Sequence, residues 1–213
     1  MVFANRDEAA DRLADALAAY KGQRPLILAI PRGAVPMGQR LAQALGGELD
    51  VVLVLKLRAP FSPEFAIGSI DESGWTYIAD YAESAGGTPT YLAQEKQAQL
   101  DTLRKRREQY TPLRPPIDPA GRIVIVVDDG LATGATMISA LHGLRARKPA
   151  RLICAVPVAP QDTLEKIRGY ADEVVCLSTP EFFQAVGQFY ADFPQVDDSE
   201  VIEILRQAGQ AKA

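Results

Sequence analysis

Residues Asp128-Asp129-Gly130-Leu131-Ala132-Thr133-Gly134-Ala135-Thr136 bring two carboxylates, two glycines and two threonines into one short turn, directly after an apolar run at 123–127. Each residue type has a separate chemical use. An ionised Asp accepts hydrogen bonds, so Asp128 and Asp129 suit the vicinal hydroxyls of a ribose. They also place negative charge where a sugar cation or a bound Mg²⁺ would need it. Gly130 and Gly134 permit backbone shapes and close approaches that a side chain would block. Thr133 and Thr136 offer hydroxyls beside the amides that open the next helix, and those amides with the positive helix end form an anion site suited to a phosphate. A polar turn that merely caps a helix accounts for one Asp. It leaves the second Asp, both threonines and both glycines without a purpose.

The elements that must hold this turn can be read from pattern. Apolar runs at 26–30, 123–127, 152–156 and 174–177, with 51–57 ending at Lys56 and Arg58, predict strands covered on both faces. Helical spacing predicts helices after Asn5 (with Glu8 three residues on), over 37–45 before Gly46-Gly47, over 134–147 and over 162–169. Strands alternating with helices predict an α/β fold with a doubly wound parallel sheet, whose ligands sit beyond the strands' carboxyl ends. Between the second and third strands, 65–70 and 75–78 predict a hairpin across Asp71-Glu72-Ser73-Gly74. Thr88-Pro89 opens a long polar helix to about Tyr110, and Pro112, Pro115, Pro116 and Pro119 mark a linker. Two tail helices are expected near 181–190 and 199–207.

Composition narrows the function classes. The 213 residues are 47% hydrophobic and 23% charged, enough to fill a core without staples. A net charge of -4 gives no general attraction to nucleic acid or anionic membranes, so any anion must be caught locally. Cys154 and Cys176 sit inside apolar runs and read as buried thiols of a reduced compartment. His142 is the single histidine, and with no C-x-x-C pair a protein-held metal site is not expected. No apolar stretch reaches transmembrane length and the N-terminus lacks a secretory pattern, so the cytoplasm is the expected location. A nucleotide hydrolase would need a G-x-x-x-x-G-K-[ST] or G-x-G-x-x-G turn, and neither occurs.

Apolar strand, two acids, spacers and a T-G-x-T-like turn together resemble the phosphoribosyl-pyrophosphate signature of the type I phosphoribosyltransferase family. The resemblance implies a mostly parallel sheet with flanking helices and a small hood region. It also implies a single domain over 1–213, with an inserted hairpin and long helix at about 59–119 and a C-terminal tail at about 180–213. The implied activity is Mg²⁺-dependent transfer of the 5-phosphoribosyl group from phosphoribosyl pyrophosphate to a nitrogenous acceptor such as a nucleobase, with release of pyrophosphate. On this resemblance Asp128 and Asp129 hold the ribose 2′ and 3′ hydroxyls and meet Mg²⁺ only through ribose or water. Ala132, Thr133, Gly134, Ala135 and Thr136 take the 5′-phosphate. The implied partners are phosphoribosyl pyrophosphate and a small acceptor, without nucleic acid or membrane, and a homodimer is a family-level expectation.

Weaker candidates surround this centre. Arg32 and Gly33 follow the first strand where the family carries its pyrophosphate loop, which makes Arg32 a catalytic candidate beside the acid pair. Lys56 and Arg58 close the second strand and would add charge to the same group, and residues 61–64 are a candidate lid. Arg104-Lys105-Arg106-Arg107 is interleaved with acids on a polar helix and reads as a solvated face. Phe182, Phe183 and Asp192 are acceptor candidates in an aromatic-rich tail whose rings at helical spacing equally suit packing. Family members that use 6-oxopurines often carry Asp just before the T-G pair. Ala132 stands there, which leaves adenine, xanthine, a pyrimidine or a non-standard acceptor open. The alternative to an enzyme is a non-catalytic regulator that binds phosphoribosyl pyrophosphate or a nucleotide.

Overall fold

A computed structural model of the chain describes residues 1–110, 112 and 116–210. Alternation within its apolar strands sets the layering. In β1 (Leu26–Ala29), Ile27 and Ala29 join one buried cluster and Leu26 and Leu28 another. β6 (Ile123–Val127) and β7 (Arg151–Val158) divide in the same way. The first cluster is closed by Leu13 of α1 (Arg6–Ala16), Met37 and Leu41 of α2 (Ala34–Leu45) and Leu205 of α6 (Asp198–Gln210). The second is closed by Ile138 and Leu141 of α4 (Ala135–Ala146) and Leu164 of α5 (Gln161–Ile167). With β2 (Glu48–Val51) and β8 (Glu173–Ser178) at its edges, the sheet has the order β2-β1-β6-β7-β8 and is parallel throughout. Burying both faces of the inner strands is what requires runs such as Ile-Val-Ile-Val-Val.

Ala29, Val127 and Ala155 stand in register across β1, β6 and β7, so the turns that follow β1 and β6 open side by side. Asn5 accepts the amide of Glu8 at 3.0 Å and caps α1, satisfying one of the free amides of its first turn.

The apolar run at 51–57 is two strands, not one. Val51 ends β2, the Val52 amide reaches Ala29 O at 3.1 Å, and the chain then leaves for a second sheet. That sheet is antiparallel and consists of β3 (Val54–Ala59), β4 (Ser62–Asp71) and β5 (Thr76–Ile78). Lys56 and Arg58 therefore lie in β3 of this hood instead of closing a strand of the main sheet. Apolar composition alone could not separate them, because both sheets need buried residues here. Residues 61–64 form the tip and start of the β3–β4 hairpin, with Phe61 92% exposed.

α3 (Pro89–Tyr110) lies across the hood, where Glu95 accepts the Arg58 amide at 3.0 Å and the Tyr91 hydroxyl donates to Arg58 O at 2.6 Å. The hood in turn rests on α4. Ser69 donates to Ala135 O at 2.6 Å, and Trp75 stacks on His142 with ring centroids 3.7 Å apart. His142 is thus a packing residue.

Two further expectations are corrected. Residues 181–190 contain only a short 3-10 turn, Val186–Phe189, in place of a helix. The backbone there is committed elsewhere: Phe3 N reaches Phe189 O at 2.8 Å, Ala191 N reaches Phe3 O at 2.8 Å, and Asp192 N reaches Ala4 O at 2.9 Å. Both thiols are free, but only Cys154 is fully buried; Cys176, on edge strand β8, is half-buried. Pro115 of the proline-rich segment lies outside the described residues, while 116–119 carry no regular element.

Candidate functional site

The turn after β6 borders a cleft of ≈ 510 Å³ between the carboxyl edge of the parallel sheet, the hood and α3. Thr133, Gly134 and Thr136 line it, as does Ala132. Among the described residues the amides of Ala132, Thr133, Gly134 and Thr136 have no acceptor within the protein, and that of Ala135 reaches only the Thr133 hydroxyl at 3.4 Å. Free amides at a helix start are an anion site. Ala135 itself is buried and does not line the cleft. Gly134 adopts φ 77, and a Cβ there would meet Thr163 Cγ2 at 2.9 Å. Thr163 holds the same turn from α5 by donating to Ala132 O at 2.7 Å.

Both carboxylates face this cleft and are partly buried. Burial pushes the Asp128 carboxyl well above its usual range, and the charge of Asp129 adds to the push. Lys56 and Arg6 pull it back. Burial also raises Asp129, with the Arg6 guanidinium opposing it most. Arg6 binds Asp129 Oδ2 through Nε at 3.0 Å and Nη2 at 2.9 Å. It is held in turn by Pro194 O at 2.6 Å and by the face of Phe193, 3.9 Å from guanidinium carbon to ring centroid. Tyr190 donates to the Asp129 carbonyl at 2.6 Å. Burial and the neighbouring Asp129 push its phenol pKa up, so it stays a donor. The chain ends thus meet behind the acid pair. Nothing in the sequence signals Arg6 or Tyr190, because their partner is far away along the chain.

From the other side, the loop 30–33 approaches the same carboxylates. The Pro31–Arg32 peptide is cis. A Cβ on Gly33 would overlap the Asp129 carboxylate and approach Arg6 Nη2 to 3.0 Å, so only glycine lets the loop come this close. Arg32, Lys56 and Arg58 line the cleft, and among the described residues none of them makes an ion pair, although the charge of Arg32 acts on Asp197.

The acceptor candidates are not brought to the cleft. Phe182 is 80% exposed, Phe183 stacks on Phe189 with centroids 5.2 Å apart, and the Asp192 amide is tied to the N-terminal segment. Instead the tail contributes Val186, which packs over Gly130, while Leu131 supplies a second apolar wall. The basic run at 104–107 is not one solvated face. Arg104 pairs with Asp101 at 3.2 Å and Arg107 with Glu72 at 2.8 Å, whereas Arg106 lines the cleft together with Gln99. The 4-3-4 spacing of Gln99, Leu103, Arg106 and Tyr110 was the available signal for an inward stripe.

The family model for the phosphoribosyl transferase domain matches residues 2–194. The chain belongs to the phosphoribosyl transferase family. Two Mycobacterium tuberculosis relatives, from strains CDC 1551 and H37Rv, carry provisional phosphoribosyl transferase names and are each 41% identical over 210 residues. These matches cover 97% of this chain and 47% of each relative, so the chain spans about half the length of the curated relatives it matches. Protein TT1426 from Thermus thermophilus, known as a crystal structure, is 44% identical with a TM-score of 0.81. That match covers 97% of this chain and 99% of TT1426. Against this family fold, the acid pair and the free amides occupy the sheet edge where open α/β proteins bind ligands. Among the described residues no helix is long and apolar enough to cross a membrane.

Proposed function

We propose that this phosphoribosyl transferase moves the 5-phosphoribosyl group from phosphoribosyl pyrophosphate to a neutral nitrogen heterocycle and releases pyrophosphate. The observation that carries the reading is one cleft holding free amides at a helix start, two carboxylates just upstream of them and basic side chains, Arg32, Lys56 and Arg58 among them, that make no ion pair. That set of groups suits a 5′-phosphate, a ribose diol and a pyrophosphate. The amides and hydroxyls of 132–136 would take the monoester, and Asp128 and Asp129 would accept the 2′ and 3′ hydroxyls. Arg32, Lys56 and Arg58 would neutralise the departing charge as carbon 1 becomes an oxocarbenium ion.

No set of three or more His, Cys, Asp or Glu side chains among the described residues is arranged to hold a metal. Mg²⁺ would therefore arrive with the pyrophosphate as part of the substrate, where it screens the leaving charge. Asp128 and Asp129 would touch it only through ribose or water. The acceptor would lie flat against Leu131 and Val186. The methyl of Ala132 offers no carboxylate to an acceptor ring.

Incubation with Mg²⁺, phosphoribosyl pyrophosphate and a panel of nucleobases, read by pyrophosphate release, should identify at least one acceptor. Absence of phosphoribosyl pyrophosphate binding in a calorimetric titration would reject the assignment. Gly33→Ala provides a local check. Gly33 has φ -57, which alanine adopts freely, so the change acts only through the methyl meeting Asp129 and Arg6. Crowding of this kind costs about 1–3 kcal/mol. A lower melting temperature and weaker phosphoribosyl pyrophosphate binding should appear together; wild-type values for both would contradict the close approach.

A further inference from the structure

α3 belongs to the insertion between the second and third strands of the main sheet, and its residues Gln99, Leu103, Arg106 and Tyr110 share one face. Leu103 and Tyr110 are 1% and 2% exposed, and Gln99 is 9% exposed. Arg106 lies between them on this inward face, half-buried and open to the cleft. Its neighbours Arg104 and Arg107 are each matched by an acid. Among the described residues Arg106 has no carboxylate partner. A half-buried guanidinium that faces a cleft and makes no ion pair is available to an anionic ligand.

Arg106 shares the cleft with Arg32, Lys56 and Arg58. Tyr110 donates to Asp198 at 3.0 Å, and burial followed by Asp198 pushes its phenol pKa up to about 12. Arg106 and Arg32 line the same cleft, and the charge of each opposes that push on the phenol. Lys56 lines the cleft as well, and its charge acts on Asp128. One cleft therefore carries the free amides at 132–136, the two carboxylates and a set of basic side chains that includes both Arg32 and Arg106.

We propose that Arg106 binds the pyrophosphate group of phosphoribosyl pyrophosphate jointly with Arg32, so that the insertion helix completes the leaving-group site from within the same chain. A planar guanidinium can present two N–H donors to one phosphate, which fits a group carrying several anionic oxygens. This inference rests on the reading that the cleft takes phosphoribosyl pyrophosphate.

Calorimetry would compare wild type, Arg106→Gln, Arg106→Met, Arg106→Lys and the exposed control Arg104→Gln. The ligands would be Mg²⁺-phosphoribosyl pyrophosphate, Mg²⁺-pyrophosphate and ribose 5-phosphate. The two charge-removing variants should bind the first two ligands about 10- to 100-fold more weakly, the loss of charge-assisted hydrogen bonds, and ribose 5-phosphate unchanged. Arg106→Lys should recover part of the loss, and Arg104→Gln should match wild type. Met retains the packing stem should the Gln variant melt early. Unchanged affinity for both pyrophosphate ligands, or an equal loss for ribose 5-phosphate, overturns the role of Arg106 and leaves the transferase reading intact. A wild-type protein that binds none of the three ligands removes both.

Discussion

Asp128→Asn is expected to weaken phosphoribosyl pyrophosphate binding and, in the ligand-free protein at neutral pH, to raise the melting temperature. Both effects have one cause. Asp128 is pressed into a site where burial and the adjacent Asp129 disfavour its charge, so its folded-state pKa lies above the unfolded value of about 3.9. A carboxyl with a raised folded pKa binds protons more readily in the folded state. Stability therefore falls as pH climbs from the unfolded pKa through the folded one. Above the unfolded pKa the raised carboxyl costs stability; near pH 3 it is largely protonated in both states and the cost disappears. Asparagine removes the charge and can keep the 2.9 Å bond that Asp128 Oδ1 accepts from the Asp129 amide. A gain of roughly 1 kcal/mol would move the melting point up by about 2–4 °C in a chain of this size. That gain should shrink as the melt is repeated at lower pH.

On the proposed ribose role, the same substitution exchanges a carboxyl acceptor for an amide opposite a sugar hydroxyl, a loss of about 10- to 100-fold in affinity. With Asp129→Asn added, the loss should reach ~10²–10⁴-fold. Retained affinity in calorimetry would count against the ribose role. A melting point that falls at pH 7 would count against the electrostatic account.

The second large effect concerns Arg6. Arg6 and Asp129 are 10% and 16% exposed at their side chains, so removing the guanidinium strands a mostly buried carboxylate. Breaking such a pair from one side costs about 3 kcal/mol, because the remaining charge keeps its desolvation penalty. Arg6→Ala should therefore melt roughly 6–12 °C below wild type. It also loses the bond to Pro194 O and the stack on Phe193, which join the first turn of α1 to the tail. Arg6→Ala with Asp129→Asn should recover a good part of the loss, since no unpaired charge remains. If the double variant loses as much as the sum of the two singles, the charge pair is not the reason. In physical terms Arg6 opposes the rise that burial imposes on Asp129 and fixes the direction of its carboxylate through two hydrogen bonds.

How far these features are legible differs residue by residue. The layering of the parallel sheet is readable because Leu26–Ala29 and Ile123–Val127 are short and apolar at every position, as a strand covered on both faces requires. The turn at 128–136 is readable because its acids, glycines and hydroxyls are contiguous. The run at 51–57 reads as one strand and is two, since two different sheets impose the same demand for buried side chains on neighbouring residues. The tail at 181–190 reads as a helix and is not, because aromatic spacing carries no record of Phe3 and Ala4, which capture its backbone.

By itself, then, the amino-acid order determined what lies within a few positions of each residue: apolar strands, the Asn5 cap, and the chemistry concentrated between Asp128 and Thr136. Tertiary structure alone decided which distant groups complete it. Arg6 reaches Asp129 across 123 positions, Tyr190 across 61, and Arg106 enters from an insertion whose polar helix shows only a faint inward stripe. The reason is that turn chemistry and periodicity act through neighbouring bonds. A buried charge finds its partner only once the chain ends have closed against the sheet.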